Sequence, residues 1–214
     1  FNAGRANGLD YWESVPLAFL GSFTWEYFGE KYRPALNDFF MTAFGGIALG
    51  ELFHRVGASI RDNRDTGKSR TLREIAALPF DPTGAANRIA RGEWKRTFAN
   101  PPEHSPEGYV LRVGAGLRLS ADSANHPLPE VPRSSVIVAD LSYGDPFRKR
   151  YELPFDVFSV RLQVSPDAGE LNLLRASGRL FGHDLNRPLA RNRHVIAINQ
   201  RYDFVSNPAN KFGS

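Results

Sequence analysis

Glu51 and His54 stand three residues apart in "GELFHR". On a helix this spacing puts a carboxylate and an imidazole on one face. A Glu-x-x-His pair facing carboxylates from other helices is how bundle proteins hold two metal ions. Glu26 or Glu51 could also share a proton with His54 as a general acid–base pair. Glu26 and Glu30, four residues apart in "WEYFGE", would be the facing carboxylates. Di-metal sites use two Glu-x-x-His helices, however, and the sequence offers one, so no metal set and no cofactor is expected. The plainer expectation is structural. Glu26 and Glu30 pair with Lys31, Arg33 or arginines on other elements, and His54 makes a polar contact near a helix end.

Other chemistries find no support. Without cysteine there is no disulfide, no Cys-based zinc site and no thiol nucleophile. No G-x-S-x-G, H-E-x-x-H or Walker-type loop occurs. "GHD" at Gly182–Asp184 sets a His beside an Asp, but in a loop pattern with no nucleophile. A net charge of +4 over 214 residues, with no basic block, gives no footprint for a nucleic-acid partner.

The elements that must position these groups fall into two regions: a helical segment with an irregular connection over 1–106, and antiparallel strands over 107–214. Leu9 to Gly29 has helical spacing, with Asp10 as N-cap and Glu13 three residues on. A second helix is predicted from Pro34 to Ile60. "SRTLREIAALP" and "DPTGAANRIARG" read as shorter helices, the latter capped by Asp81 and ended by Gly92. On the second long helix, Asp38, Thr42, Gly45 and Gly46 make a narrow small-or-polar stripe suited to close helix packing. Trp25, Asn37 and Gly50 are further expected structural positions.

From Tyr109 onward the period changes to two. Five segments, beginning "YVLRVGAGLRLS", "VIVADLSYG", "VFSVRLQV", "LLRASGRLF" and "VIAINQRYDF", each carry one apolar and one polar face. The polar faces hold Arg112, Arg118, Asp140, Arg161, Arg175, Arg179, Arg201 and Asp203. The links alternate between a short turn, "SPDAGE", and longer Pro-rich stretches. A one-sided antiparallel sheet and an outer-membrane barrel both produce this pattern.

The block "YFGEKYRPALNDFFMTAFGGIALGELFHR", with "FNAGRANG", the "NR" of "GAANRIARG" and "YDFVSNPANKFGS", resembles a bacterial family, a domain of unknown function. Its members look like exported, uncharacterised cell-envelope proteins in which a helical segment precedes an outer-membrane-type barrel. The resemblance implies an α+β chain: a helical pair packed on or in an antiparallel, outer-membrane-type β-barrel of transmembrane β-strands, of which 107–214 would form only a part. The location would be the bacterial outer membrane, with outer-membrane lipid as partner. The chain starts at Phe1 rather than Met and ends on an open "FGS", so a segment cut at both ends is expected. The resemblance supplies no mechanism. On this expectation those strand arginines and aspartates face a lumen, where they meet the helical glutamates. Two alternatives remain: an envelope lipid- or glycan-acting enzyme with a Glu/His site on the helices, and a soluble periplasmic ligand-binding β-protein. The direction of Leu111, Leu141, Leu162 and Ile198 separates them.

Overall fold

The structure, a computed structural model, describes residues 1–31, 33–62, 66–97, 108–119, 133–146, 153–185, 194–206 and 211–213. Five α-helices come first: α1 (Asn2–Ala6), α2 (Tyr11–Thr24), α3 (Leu36–Arg61), α4 (Gly67–Ala77) and α5 (Pro82–Ala90). Six strands follow: β1 (Tyr109–Leu119), β2 (Arg133–Tyr143), β3 (Phe158–Ser165), β4 (Glu170–Asp184), β5 (Val195–Ser206) and β6 (Lys211–Gly213).

Local sequence explains the main boundaries. Asp10 accepts from the Glu13 amide at 2.7 Å while the Glu13 carboxylate accepts from the Asp10 amide at 2.8 Å, a reciprocal capping box that starts α2. The helix does not run unchanged to Gly29. Residues Trp25–Gly29 widen into a π-turn, closed by the Glu30 amide on the Trp25 carbonyl at 3.1 Å. Asp81 caps α5 by accepting from the Gly84 amide at 2.8 Å. At "SPDAGE", Gly169 takes φ 63° in the turn between β3 and β4. Residues 121–132 and 186–193, which hold most of the long polar links, lie outside the described residues.

The strands form one antiparallel sheet in the order β1-β2-β3-β4-β5-β6. Register fixes its faces. Tyr143 opposes Phe158, which opposes Gly178, which opposes Gln200; one row on, Leu141, Val160, Ala176 and Tyr202 are partners. This is the apolar face, and the helices pack on it. Tyr11, Ile47, Ala48 and Leu52 form one buried cluster with Tyr143, Phe155, Phe158 and Ala176.

Two findings correct the barrel expectation. Among the described residues the sheet is open, with β1 and β6 as its edges and no pairing between them. The helices also cover part of the apolar face, which a barrel would turn to lipid, because their own apolar sides are buried there. The expected transmembrane strands, lumen, outer-membrane location and lipid partner all rested on the barrel reading, and with the helices on the apolar face the described residues give them no support. Among the described residues, no helix is long and apolar enough to cross a membrane.

Candidate functional site

Glu51 lies at the centre of the helical unit and is fully buried. Its Oε2 accepts from Arg5 Nε at 2.7 Å, and its Oε1 from Arg55 Nε at 2.8 Å. A second Arg5 nitrogen reaches Oε1 at 3.3 Å. Each arginine also reaches a backbone carbonyl. Arg5 donates to the Leu9 carbonyl and Arg55 to the Pro154 carbonyl, both at 2.7 Å. One carboxylate thus ties α1 to α3, and Arg55 carries the tie on to the segment before β3.

That segment is a clip. Phe155 adopts φ 59°, the left-handed region a bulky side chain normally avoids. Its amide donates to the Arg179 carbonyl at 2.7 Å, and the Arg179 amide donates to the Val157 carbonyl at 3.0 Å. Asp156 and Arg179 pair through two bonds, 3.0 and 2.9 Å, with both side chains buried. The Phe155 ring lies on Gly178, so close that an added Cβ would sit 2.2 Å from it, and stacks with Tyr11 at 6.1 Å. The conformation persists because these contacts together over-determine it. Beside it, burial pushes the Tyr143 hydroxyl above its usual value, against the opposing pull of the Ser59 hydroxyl and Arg55.

A second buried cluster joins α3, α4 and α5. Glu74 is fully buried and pairs with Arg70, with Arg88 at 2.9 Å and with Arg61 at 3.2 Å. Arg61 also reaches Asp81 at 2.6 Å, and Arg70 donates to the Arg61 carbonyl at 2.6 Å. Burial pushes the Arg88 guanidinium down, and Glu74 pulls it back.

The residues singled out in the sequence are dispersed. Glu26 is buried in the π-turn, where its Oε2 accepts a long bond from the Ala35 amide at 3.5 Å, while Glu30 is exposed. The π-turn breaks the four-residue spacing that would have kept the two on one face. His54 is half-buried on α3. Trp25 is exposed, with its ring against Gly29. Asn37, Asp38, Thr42 and Gly46 are exposed as well. Of the expected stripe only Gly45 is in a tight seam, and it packs on Tyr202 of β5 rather than on a helix. Gly50 packs on Phe1 and Asn2. Among the described residues, no three His, Asp or Glu side chains gather as a metal set.

The arginine face lies on the other side of the sheet. Arg112, Asp140, Arg161, Arg175 and Asp203 stand in one cross-strand row. Arg161 reaches Asp140 at 2.6 Å, and Asp203 takes Arg175 and Arg201 at 2.5 Å each. The Arg161 hydrogen bond holds Asp140 below the usual carboxylate range. Burial works against Asp203, but its two arginines hold it low as well. Arg118 is half-buried. Glu51 finds its arginines on α1 and α3, and Glu26 meets the Ala35 amide, so among the described residues the expected Glu–Arg contact between helix and strand is not seen.

Sequence reasoning missed Arg5, Arg55, Glu74, Arg61, Arg88 and Asp156. Glu51–Arg55 and Arg70–Glu74 are i,i+4 pairs and carried a local signal. Arg5, 46 positions from Glu51, carried none.

Residues 1–83 match the model of a family described as a domain of unknown function, DUF3943. The match ends before the first strand, so it supports the helical half of the expected resemblance and gives no support to an outer-membrane barrel. No curated protein and no solved structure matches the chain significantly.

Proposed function

We propose that this chain is a ligand-binding β-domain rather than an enzyme, with the sheet as its recognition surface and the helices as the clamp on one rim. The carrying observation is the divided fate of the apolar sheet face. Tyr143, Phe158 and Ala176 are buried under the helices, whereas Leu111, Val113, Leu117, Ile137, Leu162 and Ile198 of the same face stay between 36% and 75% exposed. Leu141 lies at the boundary and packs against the core. Val113, Leu117, Ile137 and Leu162 lie together on adjoining strands to one side of the covered row, with Ile198 on its other side, and an exposed apolar patch of this kind is unusual unless something binds it. Apolar burial contributes about 25 cal/mol per Å², so a ligand covering roughly 200 Å² would gain ~5 kcal/mol before ordering costs.

The enzyme alternative required Glu26, Glu30, Glu51 and His54 to act together. Both Glu51 oxygens are occupied by guanidinium donors, and no solvent reaches the residue. A carboxylate so enclosed has no access to substrate.

The test is a titration of the native protein with anilinonaphthalene sulfonate at neutral pH. Saturable fluorescence is expected, and Leu111→Asp with Leu162→Asp should abolish it without altering the far-ultraviolet circular dichroism. A native protein that leaves the dye dark, or a double variant that binds as the parent does, would overturn the reading.

A further inference from the structure

The outer edge of β1 is eleven residues long, has no proline, lysine or bulge, and meets no partner strand among the described residues. Proteins ordinarily blunt such an edge to prevent pairing. Its polar groups can be assigned. The Gly144 amide donates to the Gly108 carbonyl at 2.8 Å, so 108 and 144 are a hydrogen-bonded pair. The antiparallel alternation then directs the backbone groups of 110, 112 and 114 toward β2, and those of 109, 111, 113, 115 and 117 outward.

Gly114 and Gly116 add a second observation. Glycine weakens a strand interior and often marks a place where another backbone approaches. A Cβ at either position would meet nothing within 4 Å, so packing inside one copy requires neither.

We propose that β1 pairs antiparallel with β1 of a second copy of this chain, about a two-fold axis through Gly114. The outward groups must pair with each other, which restricts the register to odd residues opposite odd. With the axis at Gly114, Val113 faces Ala115 and Leu111 faces Leu117 of the other copy, so the apolar face runs unbroken across the junction. On the polar face Arg112 faces Gly116, whose missing side chain gives the guanidinium room, and Arg118 faces Val110. Moving the axis to Ala115 sets Arg112 opposite Arg118 twice, a repulsive arrangement. Moving it to Val113 shortens the pairing to nine residues, about a fifth less of the ladder. The Gly114 register alone uses the whole strand without opposing like charges. The proposal concerns the edge and stands apart from what the sheet face binds.

The chain has no cysteine, so cross-linking has no background. Gly114→Cys places two thiols at a non-hydrogen-bonded pair, with Cα atoms about 4.5 Å apart, inside disulfide range. Under mild oxidation Gly114→Cys should form a covalent dimer and Gly116→Cys should not. Light scattering of the parent should give twice the 23.9 kDa chain mass. Val113→Pro removes an outward donor that β2 does not use; it should give a folded monomer and suppress the Gly114→Cys cross-link. A monomeric parent, equal cross-linking of both cysteine variants, or dimerisation unaffected by Val113→Pro would each overturn the proposal.

Discussion

Glu51 and Glu74 show how a carboxylate set among aromatics can be structural. Each is fully buried, and each faces more guanidinium groups than it can neutralise. Removing one charge from such a group leaves the other uncompensated in a poorly solvated place. Glu51→Gln is therefore expected to lower unfolding free energy by about 3–5 kcal/mol in chemical denaturation, and Glu74→Gln by a similar amount. Glu30→Gln, on the exposed side of the π-turn, should stay within about 0.5 kcal/mol of the parent. Equal effects at Glu30 and Glu51 would contradict the ion-pair account. Titration gives an independent check. Tyr143 is raised in the folded state, so the unfolded chain loses its phenolic proton first. Its contribution is complete below about pH 10 and declines above it. Asp140 and Asp203 are lowered, so their contributions hold at neutral pH and fade as pH falls below about 4. Stability measured across pH should fall at both ends, and Tyr143→Phe should remove the alkaline loss.

Helices and strands were legible wherever periodicity or capping spoke for them. The Asp10–Glu13 box, the Asp81 cap and the period-two runs of β1 to β5 correspond to real elements. The π-turn and the short helix α1 were not legible, because neither has a composition of its own. Nor was the clip at Phe155, whose left-handed backbone depends on contacts from Arg55, Arg179, Gly178 and Tyr11 that lie far away in sequence. The glycines make the same point. Gly45 and Gly46 looked alike as neighbours in one stripe, yet a Cβ on Gly45 would meet Tyr202 at 3.1 Å and one on Gly46 would meet nothing. Gly46→Ala should therefore stabilise the exposed side of α3 by about 0.5–1 kcal/mol. Gly178→Ala should drive a methyl into Phe155 and cost about 1–3 kcal/mol or more in thermal unfolding. If Gly178→Ala were neutral, the clip would not be holding the helices to the sheet.

At the scale of the molecule, alternation along a strand says that a sheet has one apolar face but not what covers it. Lipid, a helix layer and a ligand all satisfy the same pattern, which is why the strands suggested part of a membrane barrel and the structure shows, among the described residues, an open sheet with helices on its apolar face. What decided between them was the side on which Tyr11, Ile47 and Leu52 pack, a long-range fact that no short stretch of sequence contains. The helices bury one part of the apolar face and leave the rest exposed, as the surface proposed to take a ligand. Hydroxyl-radical footprinting of the native protein tests it most directly. Leu111, Leu117 and Leu162 should label rapidly, while Leu52, Tyr11 and Tyr143 stay protected until the protein unfolds. Protection of Leu111 and Leu162 equal to that of Leu52 would show that the face is closed and would contradict the account.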